Sequence, residues 1–305
     1  MTTNQSGLDT ALDGSWRRYK TEREKEAKME EKQEDTKSAA PGIVGEDYIN
    51  EGGILICGKC GTPKQMLLPP ILGETAKVVP IPCECEKRAN EEREEHERQA
   101  ELKRKADARR KECFATSGFY RSCTFETDDG RSPDTSSVCE RYASTFDGHD
   151  PYGLLLWGGV GTGKSFMASA IVNRVIDMGF TALHTDMRHI VNLMESSFEN
   201  RQRNLDRILS YDLLVIEDLG AQRDTSYIME HVYTIIDGRY NTGKPMVITT
   251  NFNAEKIAST ANDESWSRIF DRILERCYPV KFGGENRRKL KKMEMRAAME
   301  KRLGL

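Results

Sequence analysis

One stretch constrains the fold more than any other: GLLLWGGVGTGKS, residues 153–165. A short apolar run leads into a glycine-rich turn, and the turn ends in Lys and Ser. Gly158, Gly159, Val160, Gly161, Thr162, Gly163, Lys164 and Ser165 match the spacing G-x-x-x-x-G-K-[ST]. Glycines let backbone N–H groups close on phosphate oxygens. A helix beginning at Lys164 turns the positive end of its dipole toward them. In a loop of this kind the Lys reaches the β- and γ-phosphates and the Ser hydroxyl holds Mg²⁺. The stretch therefore predicts an ATP and Mg²⁺ site at the end of a buried strand.

The rest of the C-terminal half supplies a sheet for that strand. Apolar runs at FTALHT (180–185), DLLVIE (212–217), MVITT (246–250) and PVKF (279–282) read as strands. Helical patterns lie between them at 164–178, 186–209 with a break near 199–203, 224–240, 264–277 and 286–303. Ile228, Val232, Ile235 and Ile236 share one helix face. Apolar strands alternating with helices predict an α/β fold, a parallel sheet covered on both faces.

Further residues bear on phosphate chemistry. DLLVIED ends a buried strand in two acids. Glu217 stands where a metal-side carboxylate is expected, and Asp218 where a base orienting the attacking water is expected. The usual first residue is Asp; Glu is longer by one methylene, which leaves the division of roles between the two acids open. Asn251 follows MVITT, where a polar side chain can hold the water. Arginines in RIFDR (268–272) and GGENRR (283–288) read equally as surface charge or as stabilisers of transition-state charge.

The N-terminal part has a different composition. Charged residues make up 31% of the chain, above the globular average, and are concentrated outside residues 151–282. Residues 1–47 read as a solvated, partly disordered arm, with a partner-binding helix as the other reading. Residues 48–85 hold Cys57-x-x-Cys60 and Cys83-x-Cys85 with 22 residues between the pairs. Four thiolates at this spacing suit tetrahedral Zn²⁺, and so short a segment needs the metal to fold. His96 is a possible substitute ligand. Cys113, Cys123, Cys139 and Cys277 are scattered and read as ordinary thiols in a reducing cytoplasm. Residues 86–113 predict an exposed helical connector, since 19 of the 27 residues in 86–112 are charged, nine acidic and ten basic. The remaining domain is 114–305. No apolar run is long enough to span a membrane, and the first 20 residues lack the apolar core of a signal peptide. A net charge of -3 excludes a generally polycationic nucleic-acid binder but not a local basic groove. The basic excess of 281–305 reads either as a phosphate-contacting helix or as a solvated face.

GLLLWGGVGTGKSFMASAI, LLVIEDLGAQRDTSY, YNTGKPMVITTN, RIFDRILERC and GENRR, in this order, resemble the bacterial and phage replicative helicase loaders of the DnaC/DnaI type. These are AAA+ ATPases related to the initiator DnaA, and the resemblance spans roughly residues 114–289. The cysteine segment resembles the zinc-bearing helicase-binding domain of DnaI-like members. The resemblance implies an AAA+ core in which Lys164, Ser165, Glu217 and Asp218 serve ATP and Mg²⁺ and Asn251 is sensor 1. It implies that Arg272 is a finger acting on a neighbouring subunit, with Arg268 as fallback, and that Arg287 is sensor 2, with Arg288 as fallback. Phe198, Thr225 and Tyr227 match positions implicated in contact with single-stranded DNA, with Arg201, Arg203 and Arg223 near in sequence. For Phe198, core packing is the competing reading. The implied partners are a hexameric replicative helicase, gripped by residues 1–112, single-stranded DNA and further copies of the chain. A neighbouring family, the IstB-type transposition helpers, shares the ATPase but usually lacks the cysteine segment and connector. A nucleotide-switched adaptor without turnover is a third reading, supported by the Glu at 217 alone.

Overall fold

The computed structural model describes residues 45–69, 76–114, 118–195, 198–221 and 225–304. All but the last three residues of the expected arm lie outside the described residues. Two compact units divide between His96 and Glu97, and each is taken by itself.

The first unit is built from two small antiparallel ribbons. Strand β1 (Tyr48–Ile49) pairs with β2 (Leu55–Ile56), and β3 (Gln65–Leu68) pairs with β4 (Lys77–Pro80). Helix α1 (Glu84–Cys113) starts in this unit. Its apolar interior is thin, with Ile56, Cys57 and Cys83 buried.

The second unit contains one sheet. It comprises β5 (Gly153–Gly158), β6 (Ala182–Asp186), β7 (Leu213–Leu219), β8 (Met246–Thr250) and β9 (Cys277–Phe282). The order is β6-β7-β8-β5-β9 and every pair is parallel. Side-chain alternation sends Leu154 and Leu156 to one face and Leu155 to the other. On the first face lies the helix Lys164–Asp177, through Met167, Ile171 and Val175. On the second lie the helices Ser226–Thr242, through Val232, Ile235 and Ile236, and Glu264–Arg276, through Ile269, Phe270 and Ile273. A parallel sheet flanked by helices in this way is consistent with an AAA+-like architecture. The strands approach so closely at β5 that a Cβ on Gly153 would stand 1.7 Å from the Met246 carbonyl oxygen.

Three elements differ from the sequence reading. A helix absent from that reading, Pro133–Ser144, packs Cys139 and Ala143 against the first sheet face. Its polar surface and its Ser, Thr and Asp content hide its periodicity. The helix expected over 186–209 is two helices, Met187–Met194 and Phe198–Ser210, which separate earlier than expected. The charged helix is exposed along most of its length, as its composition requires, but Ala106 and Cys113 are buried in the core of the second unit. There Arg110 bonds Asn173 Oδ1 at 3.1 Å, and Glu112 pairs with Arg207 at 2.6 Å. Long charged side chains thus hold the last turns of α1 in the second unit.

Arg239 ties the opposite end of the sheet from the glycine-rich turn. It is fully buried and donates to the carbonyls of Leu209 (3.2 Å), Tyr211 (2.7 Å), Asp212 (3.2 Å) and Pro245. Burial pushes its pKa down to about 10. Removing the donors leaves four carbonyls short of a partner, the Pro245 oxygen buried and the other three partly buried. Arg239→Met should cost about 2–4 kcal/mol in urea unfolding; a loss under about 1 kcal/mol would mean that water replaces the guanidinium.

Candidate nucleotide and metal sites

The glycine-rich turn lies between the carboxyl end of β5 and the helix Lys164–Asp177. Gly163 caps that helix at φ +105°, where a side chain would be strained. Lys164 is only 5% exposed. Its ammonium donates to the carbonyls of Gly158 at 2.8 Å and Gly159 at 2.7 Å and to Asn251 Oδ1 at 2.9 Å. Burial lowers its pKa, while the nearby carboxylates Asp218 and Glu217 oppose the fall.

Strand β8 lies between β5 and β7, so the tips of all three meet. Ser165 Oγ donates to Glu217 Oε2 at 2.5 Å, and Thr249 Oγ1 donates to the same oxygen at 3.2 Å. The register of β7 against β8 breaks between Ile216 and Leu219. In that bulge Asp218 adopts φ +50°, the one positive φ among the described non-glycine residues. The bulge separates two neighbouring acids: Glu217 is buried against Ser165, and Asp218 is exposed beside Asn251, whose Nδ2 donates to Asp218 Oδ1 at 3.2 Å. The division of roles left open by the sequence has a geometric counterpart here. Ser165 and Glu217 present hard oxygen donors of the kind Mg²⁺ takes, and Mg²⁺ held there would neutralise charge on β- and γ-phosphate oxygens.

Lys164, Ser165, Asp218, Asn251, Arg287, Arg288 and Lys291 border a cavity of about 510 Å³. Its far wall comes from Phe119, Tyr120 and 127–129. Both adjacent arginines of GENRR line it, but their partners differ. Arg287 bonds Asp129 Oδ1 at 2.7 Å and Ser132 Oγ at 2.9 Å, and its backbone N–H bonds the Gly161 carbonyl at 2.9 Å. Arg287 thus braces the glycine-rich turn, and it is Arg288 whose charge helps lower the pKa of Lys164. Arg272 is away from this cavity. It bonds Asp237 at 2.6 Å and Tyr233 OH at 2.8 Å and lies over the Tyr233 ring at 4.9 Å. Arg268 pairs with Glu264 at 2.6 Å.

Among the described residues no hydrogen bond or ion pair joins the nucleic-acid candidates to one another. Phe198 opens the helix Phe198–Ser210, and its side chain lies outside the described residues, as does Arg223. Thr225 caps the helix Ser226–Thr242, accepting from the Ile228 N–H at 3.4 Å. Tyr227 is exposed, with its ring edge-on to His231 at 4.6 Å.

In the first unit the sulfurs of Cys57, Cys60, Cys83 and Cys85 all lie within 4.8 Å of one another. Cys57 and Cys85 are 3.6 Å apart, and Cys83 and Cys85 are 3.3 Å apart. Tetrahedral zinc with Zn–S near 2.3 Å requires S···S separations of about 3.8 Å, so the four thiols fit that ion. The knuckle turns at Gly61, φ +67°, with its N–H on the Cys57 carbonyl at 2.8 Å. A Cβ on Gly58 would stand 2.1 Å from the Gly45 carbonyl oxygen. The Thr62 hydroxyl holds Cys60 down to about 5, whereas the neighbouring Cys83 sulfur pushes Cys85 up to about 12. Crowded sulfurs cannot all ionise without a cation between them. His96 lies exposed on α1 and outside the cluster. Cys113, Cys123, Cys139 and Cys277 are buried single thiols whose pKa values burial raises.

The model of the IstB-like ATP binding protein family matches residues 89–295. The chain belongs to that family. Replicative helicase loader DnaI of Bacillus subtilis (strain 168) is 23% identical over 207 residues, covering 61% of this chain and 67% of that protein. Replicative helicase loader DnaC of Escherichia coli (strain K12) is 27% identical over 162 residues, covering 51% and 64%. The chain thus spans about two thirds of the length of these relatives. A crystal structure of the DnaC helicase loader matches at a TM-score of 0.47 and 20% identity, covering 55% of this chain and 100% of that one.

In this IstB-like protein the cysteine cluster precedes the matched residues. Sequence reasoning overlooked Thr249, His184, Tyr120 and Asp129 at the site. The acid pair in FETDDGRSPD was the available signal for Asp129; nothing in the sequence marks His184 or Tyr120. Because the segment needs its metal to fold, Cys57, Cys60, Cys83 and Cys85 should resist iodoacetamide in the metal-loaded chain and lose that protection together when a chelator removes the metal. Mass spectrometry reads the protection, and four thiols alkylated equally fast before and after chelation would contradict a metal site.

Proposed function

We propose that this protein is a Mg²⁺-dependent ATPase that loads a hexameric replicative helicase onto single-stranded DNA. The observation that carries the ATPase is the convergence of Lys164, Ser165, Asp218 and Asn251 on one cavity, with Glu217 hydrogen-bonded to Ser165 beside it. Water held by Asn251 and Asp218 attacks the γ-phosphorus, Asp218 takes its proton, and the bond to the β-phosphate oxygen breaks to leave ADP and phosphate. Lys164 stabilises the charge that develops. We assign the phosphate contact among the paired arginines to Arg288, because Arg287 is committed to Asp129 and Ser132. Arg272, or Arg268 in its place, acts on the site of a neighbouring copy.

The loader reading is supported by relatives that are themselves replicative helicase loaders and by a separate four-cysteine module suited to gripping a partner. Residues 1–112 hold the helicase, and Phe198, Thr225 and Tyr227 face single-stranded DNA, in the cytoplasm. None of the described helices is long and apolar enough to cross a membrane. The family description favours a second reading, an IstB-type transposition helper, which would stimulate a transposase and bind duplex DNA. The adaptor reading rests on the Glu at 217 alone, and the hydrogen bond from Ser165 to Glu217 supports the ATPase reading over it.

Two experiments test these readings. ATP turnover should depend on Mg²⁺. It should fall by about two orders of magnitude in Lys164→Ala and at least about tenfold in Arg288→Ala; turnover unchanged in Lys164→Ala would refute the site. Pull-down of the replicative helicase by the full chain should succeed at low salt with ATP and weaken when Cys57 and Cys60 are replaced by Ser. Failure to capture the helicase, together with stimulation of a transposase, would transfer the protein to the second reading.

A further inference from the structure

We infer that His184 is a positioning residue for Glu217, fixing the carboxylate so that one oxygen faces Ser165 and the cation. The inference rests on the nucleotide-site reading above. Glu217 has one more torsion than the Asp usual at this position, and so more freedom to turn away from a metal. Its Oε2 is fixed by Ser165 and Thr249. Its Oε1 is buried and has no hydrogen bond of ordinary geometry among the described residues. A buried carboxylate oxygen without a donor is costly. The group that faces it is His184 Nε2, at 3.4 Å.

His184 comes from β6, the strand beside β7, where it stands in register with Val215, two residues before Glu217. Its side chain is 5% exposed. Nε2 also lies 3.2 Å from Ser169 Oγ. That hydroxyl donates its hydrogen to the Ser165 carbonyl at 2.8 Å, so toward the imidazole it can only accept. The carboxylate also only accepts. Both neighbours therefore require Nε2 to carry the hydrogen, shared between Ser169 and Glu217. The ring is held by Phe114 at 5.2 Å and Tyr120 at 4.8 Å, centroid to centroid. At 3.4 Å the Nε2···Oε1 contact is longer than an ordinary N–H···O bond, but the pair is buried, where such a contact is screened little. Donors of this kind behind a metal-binding carboxylate orient it, and their loss typically costs about 10–100-fold in metal affinity or activity.

The test compares three full-length variants. His184→Phe keeps a ring between Phe114 and Tyr120 but removes the donor. His184→Gln keeps a nitrogen donor at the Nε2 position, and His184→Asn places it one atom short. The readouts are kcat, KM for ATP and the Mg²⁺ concentration for half-maximal turnover, with melting temperature as the folding check. Expected for His184→Phe are a loss of kcat of about tenfold or more and a several-fold higher Mg²⁺ requirement, with KM for ATP little changed. His184→Gln should recover most of both. If His184→Phe matches wild type in kcat and Mg²⁺ requirement, the residue only packs and the inference fails while the ATPase reading stands. Should His184→Phe not fold, retention with Gln and loss with Asn supports the inference, and equal activity of the two overturns it. If wild type itself shows no Mg²⁺-dependent turnover, the site reading fails and this inference falls with it.

Discussion

A buried ammonium organises the nucleotide site. Lys164 starts a helix beneath the sheet's carboxyl edge and is nearly closed off from water. A charge so placed is costly unless acceptors surround it. Two come from the turn itself, the carbonyls of Gly158 and Gly159, and the third from Asn251 on the neighbouring strand. The strand order follows the same need: β8 must lie beside β5 to bring Asn251, and β7 next to β8 to bring Glu217 and Asp218. Glycine is required because β9 presses on the turn, where a Cβ on Gly158 would stand 2.1 Å from the Phe282 carbonyl oxygen. Phosphate oxygens, being charged, are better partners for Lys164 than any of its three neutral acceptors.

The two units are stabilised by different physics. The second has apolar clusters on both faces of its sheet, and its four cysteines are buried there as small apolar groups. Among the described residues the first has almost no core, and its four sulfurs are grouped where a cation can hold them. The high charge of the chain is carried chiefly outside residues 151–282, and α1 is exposed along most of its length, with Ala106 and Cys113 buried within the second unit.

Much of this was legible in the sequence, for physical reasons that differ by element. Buried parallel strands are nearly pure apolar runs, so β5, β7 and β8 stood out to within a residue or two. The turn 158–165 and the cysteine pairs have spacings that few other structures require. The helix Pro133–Ser144 was hidden because it buries only two small side chains, Cys139 and Ala143. Sequence could not separate Arg287 from Arg288, since neighbours on a helix's first turn diverge by about 100° and only tertiary contacts show which one meets Asp129. Nor could it foresee the bulge at Asp218, which turns two consecutive acids to different partners. His184 was invisible for a similar reason: it meets Glu217 only because β6 and β7 pair in a particular register.

The central claim is that Lys164, Ser165 and Glu217 form the seat for nucleotide and cation. A structure of the full chain with a non-hydrolysable ATP analogue and Mg²⁺ tests it directly. The account predicts that Lys164 Nζ exchanges the Gly158 and Gly159 carbonyls for β- and γ-phosphate oxygens. Ser165 Oγ and Glu217 should part to admit Mg²⁺, and Arg287 should stay on Asp129. Nucleotide bound elsewhere, or phosphates in the turn with Lys164 still on its two carbonyls, would contradict it.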